Sequence, residues 1–191
     1  MKYKNWIIGI AVIILIGGIY ISKYNKIKRL EQNVKAQWSK VESAYQRRLD
    51  LIPNLVNTVK GYAEFEKETL TQVIEARAKA TSVTVDPANL NQASIQQFQQ
   101  TQGALSSALG RLMVVVEKYP DLKANQNFLE LQAQLEGTEN RIKVERDRYT
   151  DQVSSYNKYV VTFFNQMLFH KEEMGYFTAD EAASQAPTVE F

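Results

Sequence analysis

The side chains able to do chemistry in this sequence are few, and their spacing excludes more than it admits. His170 is the only histidine and cysteine is absent. There is therefore no thiolate nucleophile or metal ligand, no disulfide framework and no cysteine-borne lipid anchor, and a Ser-His-Asp relay has no support. A carboxylate di-metal centre in a helical bundle needs two Glu-x-x-His pairs, which one histidine cannot supply. Gly103 and Gly110 fall in a helical stretch without the phosphate-loop pattern, and no HExxH or EF-hand loop occurs. The expectation is no enzyme and no cofactor.

What remains is a polar constellation. Arg47, Arg48, Asp50, Asn54 and Asn57 surround Pro53, while Glu136, Glu139, Asn140, Arg141 and Arg146 sit midway along a later helical stretch. In antiparallel helices the two groups could meet. The first reading is a buried layer of ion pairs and amides that fixes helix register; the alternative is a partner or ligand site. A second set, Lys23, Lys26, Lys28 and Arg29, follows an uncharged run and could contact anionic lipid headgroups, each charge contributing about 1 kcal/mol. Nucleic-acid binding has no motif behind it, and the chain from Lys23 onward is formally neutral.

Helices must position these groups. Four prolines and eight glycines in 191 residues are too few for a loop-rich chain. WIIGIAVIILIGGIYI, Trp6 to Ile21, carries no charge, and sixteen residues at 1.5 Å each reach roughly 24 Å, close to a hydrocarbon core once flanking groups extend it. Trp6, Tyr20 and Tyr24 are placed to act as aromatic interface anchors, with Lys4 and Lys23 snorkelling beside them. A cleaved signal peptide is the competing reading, but bulky Tyr20 and Ile21 stand where a cleavage site wants small residues. Two lysines precede the span and the four cations above follow it, which favours a cytoplasmic body with the N-terminus outside; the opposite orientation stays open. From Lys23 to Asp50 the balance is +5, and from Leu51 to Phe191 it is −5.

Beyond the span, Ile27, Leu30, Val34, Trp38, Val41, Tyr45, Leu49, Ile52 and Val56 recur at spacings of 3, 4 and 4, an eleven-residue period that suits a nearly straight helix with one buried face. Pro53 either kinks this helix or sits in the first turn of a new one. The next stretch runs to about Ala80, with Leu55, Val59, Tyr62, Ala63, Leu70, Val73 and Ile74 inward, and ends in a loop around Asp86-Pro87. A third helix over about Ser94–Lys118 shows a heptad seam, with Gly103, Ser107 and Gly110 on one face where a neighbouring helix could approach closely. Asp121 reads as the N-cap of a last helix, running to about Phe164 with Phe128, Leu135, Ile142, Tyr149, Tyr156 and Phe163 at every seventh position. The fold expected is all-α: a single N-terminal transmembrane helix continuing into a four-helix antiparallel bundle. Its parts are a short tail over 1–5, a transmembrane helix over 6–22, a helical bundle over 23–169 and an acidic C-terminal tail over 170–191.

RRLDLIPNLVNTVKGYAEFE at Arg47–Glu66 and LGRLMVVVEKYPDLKANQNFLELQAQLEGTENRI at Leu109–Ile142 resemble the two signatures of the bacterial LemA family. RDRYTDQVSSYN at Arg146–Asn157 and the terminal APTVEF match it as well, so the resemblance covers nearly the whole chain. Phe164 departs from it, since relatives commonly carry proline after the phenylalanine. The resemblance implies a single span with a short external tail and a body of four main helices. It supplies no catalytic residues.

Together these readings describe a membrane-anchored helical scaffold in the bacterial inner membrane. Its expected partners are membrane lipids, further copies of itself and unidentified membrane or envelope proteins, in envelope maintenance or stress response. A membrane-linked sensor bundle is the alternative, and a hydrolase or metal enzyme a distant third.

Overall fold

The computed structural model describes residues 2–62 and 66–178, with only the backbone of Lys2, Lys4 and Asn5. The side chain of Lys4, Ala63 and the stretch 179–191, which holds APTVEF and most of the acidic tail, lie outside the described residues. Among the described residues there are six helices and no strand.

Helix α1 runs unbroken from Lys2 to Lys60. Its first third is exposed on all sides, and burial begins at Ile27. From there the eleven-residue stripe is realised: Val34, Trp38, Val41, Tyr45, Leu49, Ile52 and Val56 are all buried, with Leu30 half-buried. The helix passes straight through Pro53. Proline has no N–H for the carbonyl of Leu49, one turn back. That carbonyl is instead met by the Arg77 guanidinium, whose Nε donates to it at 3.0 Å. The defect in α1 thus becomes a docking point for α2 (Lys67–Ser82). The turn between α1 and α2 falls at Gly61, not at Pro53. Leu55 and Val59 therefore belong to α1, and the inward pattern continues across the break with Leu70 and Val73, while Ile74 is exposed.

Helix α3 (Gln92–Val116) follows a loop in which Asp86 accepts from the amide of Ala88 and the turn closes from Asn89 N to Asp86 O. The Asn91 side chain caps α3 by accepting from Ser94 N at 2.9 Å. Pro120 opens α4, a single turn over Pro120–Lys123 that includes Asp121. The N-cap of α5 (Gln126–Val160) is Asn125, which accepts from Phe128 N; this corrects the assignment of Asp121 to that role. The last long helix also stops earlier than its heptads suggest. It ends at Val160, and Phe163 opens a separate short helix, α6 (Phe163–Phe169).

Contacts pair α5 antiparallel to α1: Gln37 meets Glu145 and Arg48 meets Glu139, while Lys23 meets Asn165 of α6 at one end and Tyr62, just past α1, meets Asn125, the cap of α5, at the other. The part of α1 from Ile27 onward and the whole of α5 are both about 50 Å long at 1.5 Å per residue, so the two form matched posts. Helices α2 and α3 make the other antiparallel pair, and α3 runs parallel to α1. The distal core holds Leu49, Ile52, Leu55, Leu105, Leu112 and Phe128. The span-proximal core is aromatic: Trp38 meets Phe98 and Tyr149 edge-on and stacks on Phe177.

Helix α2 does not extend into that proximal half. Residues 171–178 take its place, climbing back along the bundle from the end of α6. Tyr149 Oη donates to Gly175 O, Asn157 brackets Met174 with two hydrogen bonds, and Gly175 N donates to Leu90 O at 2.8 Å. A Cβ on Gly175 would lie 2.7 Å from backbone atoms of Asn91 and Gln92, so only glycine allows this approach.

One buried carboxylate locks α1 to α5. Glu145 is fully buried, accepts from Gln37 Nε2 at 2.7 Å, and pairs with Arg141 at 2.7 Å and Arg148 at 3.1 Å. Burial pushes its pKa up, but the Gln37 amide and the surrounding cations outweigh that, and the net shift is downward from 4.5. Glu31 behaves alike: burial raises it, Lys35 and Lys28 prevail, and its pKa is lowered.

Two outcomes follow. Arg77→Met should lower stability by about 1–2 kcal/mol with Pro53 present. In a Pro53→Ala background, where residue 53 regains an N–H for Leu49 O, its cost should be less than half of that. Denaturation of the four variants in detergent measures the difference. Because both carboxyls are lowered on folding, their contribution is full above the unfolded value near 4.5 and is lost as pH falls through the lower folded values. The melting temperature should therefore drop as pH goes from about 5 to about 3, and Glu145→Gln should flatten that slope.

The Arg48 layer and the groove between α3 and α5

The distal and proximal cores meet at Arg48. Its stripe position makes it one of the largest fully buried side chains, at 1% exposure. Nη1 donates to Ser106 Oγ at 2.6 Å and to Glu139 Oε1 at 2.7 Å, while Nη2 donates to Gln102 Oε1 at 2.6 Å and to Gln102 O at 3.2 Å. The guanidinium also lies over the Tyr45 ring, 5.1 Å from its centroid. Only Nε lacks a hydrogen-bond partner. A buried cation persists only when its donors are matched, and here α1, α3 and α5 each supply a part of the match.

Of the other residues named for this layer, Arg47, Asp50, Asn54, Asn57 and Asn140 are exposed, and Arg146 is half-buried against Phe177, its guanidinium 4.6 Å from the ring. Asp50 accepts from Gln46 on its own helix. The geometric reason is helical phase: only position 48 falls beside the buried stripe at 45, 49 and 52, and its neighbours turn outward. Sequence reasoning missed Gln102 and Ser106. A signal for the first was present: Gln102 occupies a seam position of α3, between Phe98 and Leu109, where an apolar residue is otherwise the rule. Gln37, Glu145 and Asn157, all buried, were missed as well.

Glu139 remains 44% exposed because α3 and α5 stand apart beside it. Two adjoining cavities occupy the gap. One, of about 400 Å³, is lined by Tyr45, Arg48, Gly103, Ser107 and Arg146 among others. The second, of about 520 Å³, has Leu109, Gly110, Met113, Leu135 and Glu136 in its walls. Ser106 and Glu139 line both, so the two form one groove, polar toward the span and apolar away from it. No described helix fills it. A Cβ on Gly103 or Gly110 would meet nothing among the described residues within 4 Å, so no described helix makes the close approach expected at these small residues. Glycine inside a helix costs about 1 kcal/mol against alanine, and packing among the described residues does not ask for it at either position.

At the membrane end, Trp6, Tyr20 and Tyr24 are exposed. Lys23 donates to Asn165 Oδ1 at 3.2 Å, Lys26 lies over the Tyr159 ring at 4.4 Å, Lys28 pairs with Glu31 at 3.3 Å, and Arg29 is exposed. The four cations thus ring the junction of span and bundle.

The chain resembles known proteins over most of its length. It is 25% identical over 156 residues to protein LemA of Metamycoplasma hominis, covering 82% of this chain and 68% of that protein. It is 24% identical over 169 residues to magnetosome protein MamQ 2 of Paramagnetospirillum magneticum, and 24% over 171 residues to magnetosome protein MamQ of Magnetospirillum gryphiswaldense. These matches cover 79% and 78% of this chain but 62% of each relative, so the chain spans less than two thirds of the magnetosome proteins it matches. The LemA family model matches residues 37–191, from the first buried polar residue of α1 through the whole Arg48 layer and groove: this chain belongs to the LemA family.

Proposed function

We propose that the chain is a membrane-anchored helical scaffold without catalytic activity, which holds partner proteins at a fixed height above the bilayer. The observation that carries this is the continuity of α1. One helix runs from a stretch with a mean hydropathy of 2.1 and no buried residues to the centre of the bundle without a break. A rigid joint of this kind fixes the direction of the body relative to the membrane. The groove between α3 and α5 is the seat we assign to a partner, because its helical glycines sacrifice stability and leave open space above them. That partner is a helix of an envelope protein or of a second copy of this chain. We place the chain in the inner membrane with its body in the cytoplasm, on the strength of Lys23, Lys26, Lys28 and Arg29 after the span, and in envelope maintenance or stress response.

Gly110→Trp should fill the groove without disturbing the fold. Photo-crosslinkers at Ser107 and Asn140 in intact membranes should capture partners in the parent chain and lose them in this variant, at equal melting temperature. Recovery of uncross-linked monomer alone in the parent chain would refute the scaffold reading. Gly103→Ala and Gly110→Ala should each raise stability by about 0.5–1 kcal/mol, measured by chemical denaturation. Reporters fused at the N-terminus and after Phe191 test the orientation, and a C-terminal reporter active only outside the cytoplasm would reverse it.

A further inference from the structure

We infer that α6 is a second membrane contact, a short helix lying in the bilayer interface beside the span and seating the bundle on the lipid surface. This rests on the anchored reading of α1.

Four features of the structure place it there. The first is its height. Phe169, at its end, packs on Tyr20 and Tyr24 with ring centroids 5.1 and 6.1 Å apart. These are the two aromatic residues at the bundle end of the apolar stretch, where amphipathic rings favour the interface. The second is its place in the path of the chain. Helix α5 descends to Val160, α6 crosses beneath the bundle, and His170, in the left-handed conformation at φ 46 and ψ 45, turns the chain back so that residues 171–178 climb away again. Helix α6 is thus the lowest element of the body.

The third feature is its exposed face. Phe163 at 74%, Phe164 at 62%, Met167 at 53% and Leu168 at 43% exposure project outward, with Val161 beside them. No charged side chain occurs from Val161 to Phe169. Contiguous apolar surface of this size on a soluble face is unusual and marks a contact. The one polar side chain that turns inward, Asn165, is 1% exposed and tied by Lys23 Nζ and Tyr159 O, so the helix is clamped in this pose with its apolar side out. The fourth is charge. Lys23 and Lys26 stand beside it, Lys23 bonded to Asn165 and both leaning on Tyr159. Anionic headgroups complement these cations, whereas a second copy of the same face would bring like charges together. Lipid is therefore the occupant: an apolar face with basic flanks, buried to the headgroup and acyl boundary.

The absence of cysteine makes the test direct. Single substitutions Phe164→Cys, Met167→Cys, Ile13→Cys and Glu130→Cys are made in the full chain. Each is labelled with an environment-sensitive dye and reconstituted into vesicles of phosphatidylethanolamine and phosphatidylglycerol carrying a nitroxide near the glycerol end of the acyl chain or near its methyl end. The shallow nitroxide should quench the labels at positions 164 and 167 by about twofold or more, as expected for an interfacial helix. The label at position 13 should respond to the deep one and the label at 130 to neither. If position 13 is quenched while 164 and 167 behave like 130, α6 is not in the lipid and the inference fails although the anchor stands; that is also the result if a second copy covers α6. If position 13 is not quenched, the anchored reading itself fails and this inference with it.

Discussion

The structure depends on a single constraint: one helix has to be soluble in two media. Helix α1 is apolar around its full circumference over its first third and apolar on one stripe over the rest. Every backbone group of the first part must be satisfied within the helix if lipid surrounds it, which forbids a break there. The second part can bury its stripe only against other helices. Helix α5, of matching length, runs back along that stripe, and the remaining elements close the sides. The proline at position 53 would be the natural place to relax such a long helix. The helix nonetheless continues through it, and the carbonyl it abandons is taken up by Arg77 from α2, so a local fault becomes a tertiary link.

Polar groups inside this bundle divide it rather than weaken it. Arg48 with Gln102, Ser106 and Glu139 separates an aliphatic distal core from an aromatic proximal one. Glu145 with Gln37, Arg141 and Arg148 repeats the device nearer the membrane. In a helical bundle with a regular apolar seam, sliding one helix by a turn costs little apolar contact; matched charges at fixed heights make such a slip expensive. The same layers explain the groove. Where Glu139 reaches across to Arg48, α3 and α5 stay apart, and the small residues of α3 face open space.

The outline of this architecture was legible in the residues. The eleven-residue period of α1 and the heptads of α5 each identified a buried face correctly, because helical phase alone decides which side chains share a side. The family resemblance rested on segments that hold Arg48 and Glu139 of the layer but not Gln102 or Ser106. Less legible were element ends. Phe163 continues the heptad of α5 in sequence yet lies beyond its end, since periodicity does not record where the chain must turn to pass beneath a neighbour. The N-cap of α5 fell at Asn125 because Pro120 starts its own turn first.

What the sequence by itself determined was therefore the all-helical class, the uncharged span with its basic border, and the buried stripes of the long helices, all of which follow from local period and charge. What only the tertiary structure decided was which polar residue of each cluster turns inward, and where helices leave room. Arg48 lies beside the buried stripe by helical phase, but its partners Gln102, Ser106 and Glu139 come from two other helices. The strap of residues 171–178 arises from the mismatch between helix lengths on the two sides of the bundle. That quantity belongs to no single segment, because it depends on which helices lie side by side.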